Sequence, residues 1–124
     1  MTSIDHRAVL AANNNADLYQ AVFIAHGLRY RREPHAFLGL DDAPPYYSNM
    51  TTLTPQDTSR QRAELNKLSS EFRGGFGVKD GFCRLHLADS GYRILLEATW
   101  LWAAPMTAPG TPMPGWERIQ TPAA

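Results

Sequence analysis

The run NMTTLTPQDTSRQRAELNKLSSEFRGG, Asn49 to Gly75, carries a strand and a helix back to back. Asn49 to Thr54 alternates with period two, setting Met50 and Thr52 on one face and Thr51 and Leu53 on the other, the pattern of a β-strand. Thr54-Pro55 then reads as a helix start, a capping hydroxyl followed by a proline whose fixed φ suits the first helical position. Leu65, Leu68 and Phe72 mark the buried stripe of that helix. Arg60, Arg62, Glu64, Lys67 and Glu71 fall on its solvated side, with Lys67 and Glu71 one turn apart. Gly74-Gly75 closes it.

Upstream, NNADLYQAVFIAHGL from Asn14 to Leu28 predicts an amphipathic helix. Leu18, Val22 and Ala25 recur at helical spacing, and Tyr19 and Phe23 widen the same face. Asn13 to Asn15 supply a cap unless the helix begins earlier, and Gly27 supplies the stop. Leu28 to Arg32 and Ala36 to Leu40 are short strand candidates around Glu33-Pro34-His35, followed by a loop from Asp41 to Pro45.

Downstream, the period is two from Phe76 to Trp102. Asp80-Gly81 is a turn or a bulge, and Ala88-Asp89-Ser90-Gly91 signals a hairpin between Phe82–Leu87 and Tyr92–Trp102. In that register Cys83, Leu85, Leu87, Tyr92, Ile94, Leu96, Trp100 and Trp102 share one apolar face, and Glu97 is the diagonal neighbour of Arg84. The sum is an α+β unit, a mostly antiparallel sheet with two main helices, over residues 1–102. Residues 103–124, with Pro105, Pro109, Pro112, Pro114 and Pro122, read as a proline-rich linker or docking tail; Trp116 and Ile119 favour docking.

Composition bounds the function. The chain has 124 residues, and 44% of them are hydrophobic, enough for one modest core. Twelve basic residues balance twelve acidic ones, which argues against non-specific nucleic-acid binding. There is no apolar run of membrane-spanning length and no secretory pattern at the N-terminus. Cys83 is the single cysteine, so the expected compartment is a reducing cytoplasm.

Few residues carry chemistry. His6, His26, His35 and His86 are scattered and none pairs with Cys83 at a ligand spacing, so no metal site is expected. His26 suits a role at the end of its helix, and Cys83 suits burial as a small hydrophobe. The cluster RGGFG, Arg73 to Gly77, follows a helix and leads into a strand, the reverse of a phosphate loop. RGGFGVKDGF also has a faint likeness to the aromatic strand motif of RNA-recognition domains, but Gly75 is extra and the second aromatic is missing. Glu97 sits mid-strand, where partial desolvation could raise it into a general base. An ion pair with Arg84 is the other reading. Tyr46, Tyr47, Trp100 and Trp102 are candidates for lining a substrate pocket, or for core.

PPYYSNMTTLTP, FGVKDGFCRLHL and GYRILLEATWLW resemble segments in the N-terminal half of a group of bacterial GNAT-fold (N-acetyltransferase-like) proteins. The similar features are the Asn-rich helix ending Ala25-His26-Gly27, Tyr-Tyr ahead of Thr-Leu-Thr-Pro, Val78-Lys79-Asp80, Leu96-Glu97-Ala98-Thr99-Trp100 and Gly115-Trp116-Glu117-Arg118. The order strand–helix–strand–strand agrees with it. The resemblance implies acyl transfer from acetyl-CoA to an amine, with the cofactor held by a strand and an Arg/Gln-x-x-Gly-x-Gly/Ala loop. That loop has no counterpart in this chain: Gly75 and Gly77 have the spacing, but Phe72 stands in place of the Arg or Gln. The implied expectation is a fragment or a stand-alone half, inactive alone, partnered by a complementary half that brings acetyl-CoA or by a second copy. A non-catalytic interaction or small-ligand-binding domain is the alternative.

Overall fold

A computed structural model describes residues 3–104 and Gly115. The prolines from Pro105 onward, Trp116 and Ile119, which carried the expectation of a docking tail, lie outside the described residues. The elements run α1 (Ser3–Ala25), β1 (Tyr30–Arg32), β2 (Ala36–Gly39), β3 (Met50–Thr52), α2 (Thr58–Ser69) and β4 (Val78–Lys79), with a short 3₁₀ turn at Leu87–Ser90. The fold is α+β, with two helices and one four-stranded mixed sheet.

Helix α1 stops where Gly27 enters the left-handed region at φ 68°. The Leu28 amide donates to the Phe23 carbonyl at 2.9 Å and the Gly27 amide to Ile24 at 3.1 Å. Together these satisfy the last carbonyls in a Schellman motif. The chain then forms the β1–β2 hairpin, with Arg31 opposite Leu38, across a turn closed by Glu33 and Ala36. Strand β2 pairs antiparallel with β3, Phe37 opposite Thr51. Helix α2 carries the chain across to β4, which lies parallel to β3 with Met50 beside Val78. Strand order in the sheet is the order in sequence.

The sheet is a middle layer with a core on each face. Ala12, Ala16, Tyr19 and Phe23 of α1 meet Phe37 and Leu53 on one side. Leu65 and Leu68 of α2 meet Ala36, Leu38 and Met50 on the other. Every residue of β2 is therefore buried. Phe37 is the hub of the first core, edge-on to Phe23 at 5.3 Å and to Tyr19 at 5.8 Å, and stacked on Tyr30. Such pairs add about 0.5–1.5 kcal/mol each beyond burial.

Four expectations need correction. The buried face of α1 is the Ala12–Ala16–Tyr19–Phe23 row, and Leu18 points outward. Helix α2 spans Thr58–Ser69, so it does not start at Thr54-Pro55 and ends before Gly74-Gly75. The Thr54 hydroxyl accepts from the Gln56 amide, its carbonyl accepts from Gln61 Nε2, and Asp57 has φ 59°, so residues 54–57 are held as a turn. The hairpin from Phe82 to Trp102 does not form. Cys83 and His86 adopt φ of 54° and 51°, incompatible with a strand, and the Asp80 carboxylate captures the Leu85 amide at 3.1 Å. Leu85 drops into the interior, its carbonyl held by Arg62. The fourth correction follows: Cys83 is exposed rather than buried.

Candidate functional site

An open cleft of about 700 Å³ lies between the loop after β2 and the segment joining α2 to β4. Its first wall is set by Pro44 and Pro45. The Tyr47 amide donates to the Pro44 carbonyl at 3.0 Å and Tyr46 has φ 72°, the hydrogen bond and the positive φ of a type II turn. That position ordinarily goes to glycine, and a side chain there costs about 1–2 kcal/mol. The Tyr46 ring is fully exposed at the rim, while Tyr47 packs edge-on to Tyr19 at 4.9 Å.

Polar groups fill the remainder. Asp41 accepts from the Arg29 amide at 2.7 Å and from the Arg29 guanidinium at 2.7 and 3.1 Å. Those hydrogen bonds hold the Asp41 carboxyl below the usual carboxylate range and raise Arg29. Asp42, Glu71 and Arg73 also line the cleft and make no ion pair among the described residues. Asn49 fixes the floor: its side-chain oxygen accepts from the Gly77 amide at 3.0 Å, and its own amide donates to the Gly77 carbonyl. With the Gly77 amide engaged in this way, the glycine cluster is a connector into β4. The cleft offers a guanidinium, two free carboxylates and a phenol to a small polar ligand.

A second cluster sits across the sheet. Glu64 of α2 receives a two-pronged interaction from Arg31 of β1, which also reaches Glu33 at 3.2 Å. Hydrogen bonding by Arg31 lowers Glu64 and raises Arg31. His35 is buried, with Nε2 3.7 Å from Glu64 and without a hydrogen bond. Its carbonyl accepts from the Leu53 amide and from Gln61 Nε2.

The candidates from the sequence separate in space. Tyr46 and Tyr47 share the cleft. Trp100 and Trp102 do not line it: Lys79 Nζ lies 5.0 Å from the Trp100 ring, and the Arg7 guanidinium lies 5.3 Å from that of Trp102. Glu97 is exposed on a stretch without secondary structure and has no ion pair with Arg84. Asp42, Glu71, Arg73, His35 and Glu64 were missed because each acquires its neighbours only through strand pairing or helix packing. Among the described residues no three His, Cys, Asp or Glu side chains gather as metal ligands, and no helix is long and apolar enough to cross a membrane. Compared with protein-family models, with curated proteins and with solved structures, the chain matches none.

Proposed function

We propose that this chain is a non-catalytic interaction unit, organised like the N-terminal portion of an acetyltransferase-like (GNAT) protein and dependent on a partner for any acyl-transfer activity. The observation that carries the reading is the stretch after Tyr92. Ile94, Leu95, Leu96 and Leu101 are all exposed there, on a segment with neither helix nor strand. Large apolar side chains gathered in one exposed stretch mark a surface that meets another protein. The adjacent parallel pair β3 and β4, joined through α2, agrees with the first three elements of the strand–helix–strand–strand order of the resemblance, while the expected last strand, Tyr92–Trp102, does not form.

Two measurements test it. Calorimetric titration of the full chain with acetyl-CoA is expected to show no binding, and micromolar affinity would overturn the non-catalytic reading. A photo-crosslinking amino acid at position 95, activated in living cells, is expected to give one discrete adduct. Absence of any adduct removes the interaction reading.

A further inference from the structure

Among the described residues, Tyr92 to Trp102, YRILLEATWLW, is held to the body at its two ends and free between them. Tyr92 packs against the α2-side core, and Trp100 and Trp102 stand over Lys79 and Arg7. Between these anchors Ile94, Leu95 and Leu96 are 71%, 82% and 84% exposed. No backbone–backbone hydrogen bond among the described residues involves 93–104. Arg93 and Glu97 have no ion-pair partner among the described residues. This is a strand-competent, β-branched and aromatic sequence whose backbone donors and acceptors are free among the described residues.

We infer that residues 92–98 pair antiparallel with the same residues of a second copy of this chain, centred on Leu95. The inference rests on the interaction reading above and names its partner. Charge complementarity selects both partner and register. Pairing centred on Leu95 sets Arg93 opposite the second copy's Glu97 and, by the two-fold axis, repeats that contact on the other side. Ile94 then faces the second copy's Leu96, and Leu95 faces itself across the axis. Centring on Arg93 or on Glu97 would oppose like charges, and centring on Leu96 would leave both charges facing uncharged residues. Directly opposed unlike charges stabilise an antiparallel pair and like charges destabilise it. An isologous contact of this kind closes at two copies. Along the paired ribbon Tyr92, Ile94, Leu96 and Ala98 share one face, and Arg93, Leu95 and Glu97 the other.

Sedimentation velocity on the purified full chain is the test. The wild type is expected to form a reversible dimer with a dissociation constant on the order of 10 µM, as small interfaces give. Arg93→Glu alone and Glu97→Arg alone each set like charges together and should weaken it at least ~10-fold. Both side chains are exposed, so at concentrations below the dissociation constant neither change should alter the thermal midpoint. The double exchange Arg93→Glu/Glu97→Arg, and an equimolar mixture of the two single variants, should each restore association to within ~3-fold of wild type. A monomer at 200 µM (about the highest concentration to try), a dimer indifferent to both charges, or a mixture that stays monomeric overturns the pairing. If the purified chain is monomeric while position 95 crosslinks to a different protein in cells, the second-copy partner fails and the interaction reading stands. If neither association nor adduct is seen, both fail.

Discussion

Replacing Gly39 by alanine tests how closely α1 rides on the sheet. A Cβ built at Gly39 would lie 2.7 Å from Phe23 Cε2 and 2.8 Å from Cζ. Ordinary carbon–carbon contact is about 3.5–4.0 Å, so the methyl needs close to ~1 Å of added room. The ring cannot supply it. Phe23 is fully buried and packed edge-on to Phe37 at 5.3 Å. The strand cannot retreat either, because the Gly39 amide donates to the Asn49 carbonyl at 2.6 Å and Leu38 is buried in the opposite core. Overpacking of this kind costs about 1–3 kcal/mol, and a clash against a locked ring belongs in the upper half of that range. At about 4–8 °C per kcal/mol, the thermal midpoint should fall by roughly 10–20 °C. Phe23→Leu removes the two offending ring atoms. In that background Gly39→Ala should cost at least ~1 kcal/mol less, a coupling in the range seen for side chains in contact. Urea unfolding of the four proteins followed by far-UV circular dichroism supplies the cycle. Strict additivity, or a Gly39→Ala midpoint equal to wild type, refutes the close approach of α1.

Gln61→Leu should destabilise by about 1–3 kcal/mol, because Gln61 is buried and its amide satisfies the carbonyls of His35 and Thr54; an unchanged urea midpoint contradicts that role. Glu64 is lowered by Arg31, so its contribution is complete above the unfolded carboxyl value near ~4.3 and disappears as pH falls through the lower folded value. The stability gap between wild type and Glu64→Gln should therefore be widest at neutral pH and close in acid, and a gap constant between pH values of about 7 and 3 tells against the pair. Cys83 should react with a disulfide thiol reagent under native conditions at a rate within ~10-fold of that in urea, since it is exposed; reaction only after unfolding would restore the buried assignment. Leu95→Asp, in dilute solution, should leave the unfolding midpoint within about 0.5 kcal/mol of wild type, as expected for a residue outside both cores, and a larger loss would return Leu95 to a packed sheet face.

What the sequence discloses is mostly what local chemistry decides. The stop at Gly27 is a six-residue motif and was legible. So was the alternation that sends Met50 to the α2 core and Leu53 to the α1 core, because a strand's period is rigid. The face of α1 was legible in part: Tyr19 and Phe23 lie on it, while Leu18 and Ala25 are exposed. Ala12 and Ala16 complete that face, and Leu18 is left outside it. A reading by hydrophobicity ranks leucine above alanine, so it counts Leu18 and passes over Ala12 and Ala16. The Phe82–Trp102 hairpin failed for a different cause: one carboxylate, Asp80, and one long-range guanidinium, Arg62, hold Leu85 in place and break the period. Tyr46 and Tyr47, singled out for their aromatic side chains, do line the cleft. Glu71 and Arg73 were not singled out, since only the parallel pairing of β3 with β4 brings residues thirty positions apart to one cleft.

The two cores also explain why the last described stretch can be spent on association. Each face of the sheet is already covered by its own helix, and the final contribution to either core comes from Phe82, Leu85, Leu87 and Tyr92. Beyond Tyr92 the chain adds apolar side chains that neither core uses. A folded body gains nothing from exposing three consecutive large aliphatic residues, and it risks indiscriminate pairing along both strand edges. Arg93 and Glu97, placed symmetrically about Leu95, limit that risk, because only one antiparallel register opposes unlike charges throughout. The same two charges thus favour the Leu95-centred register and oppose those centred on Arg93 or Glu97 when the segment pairs.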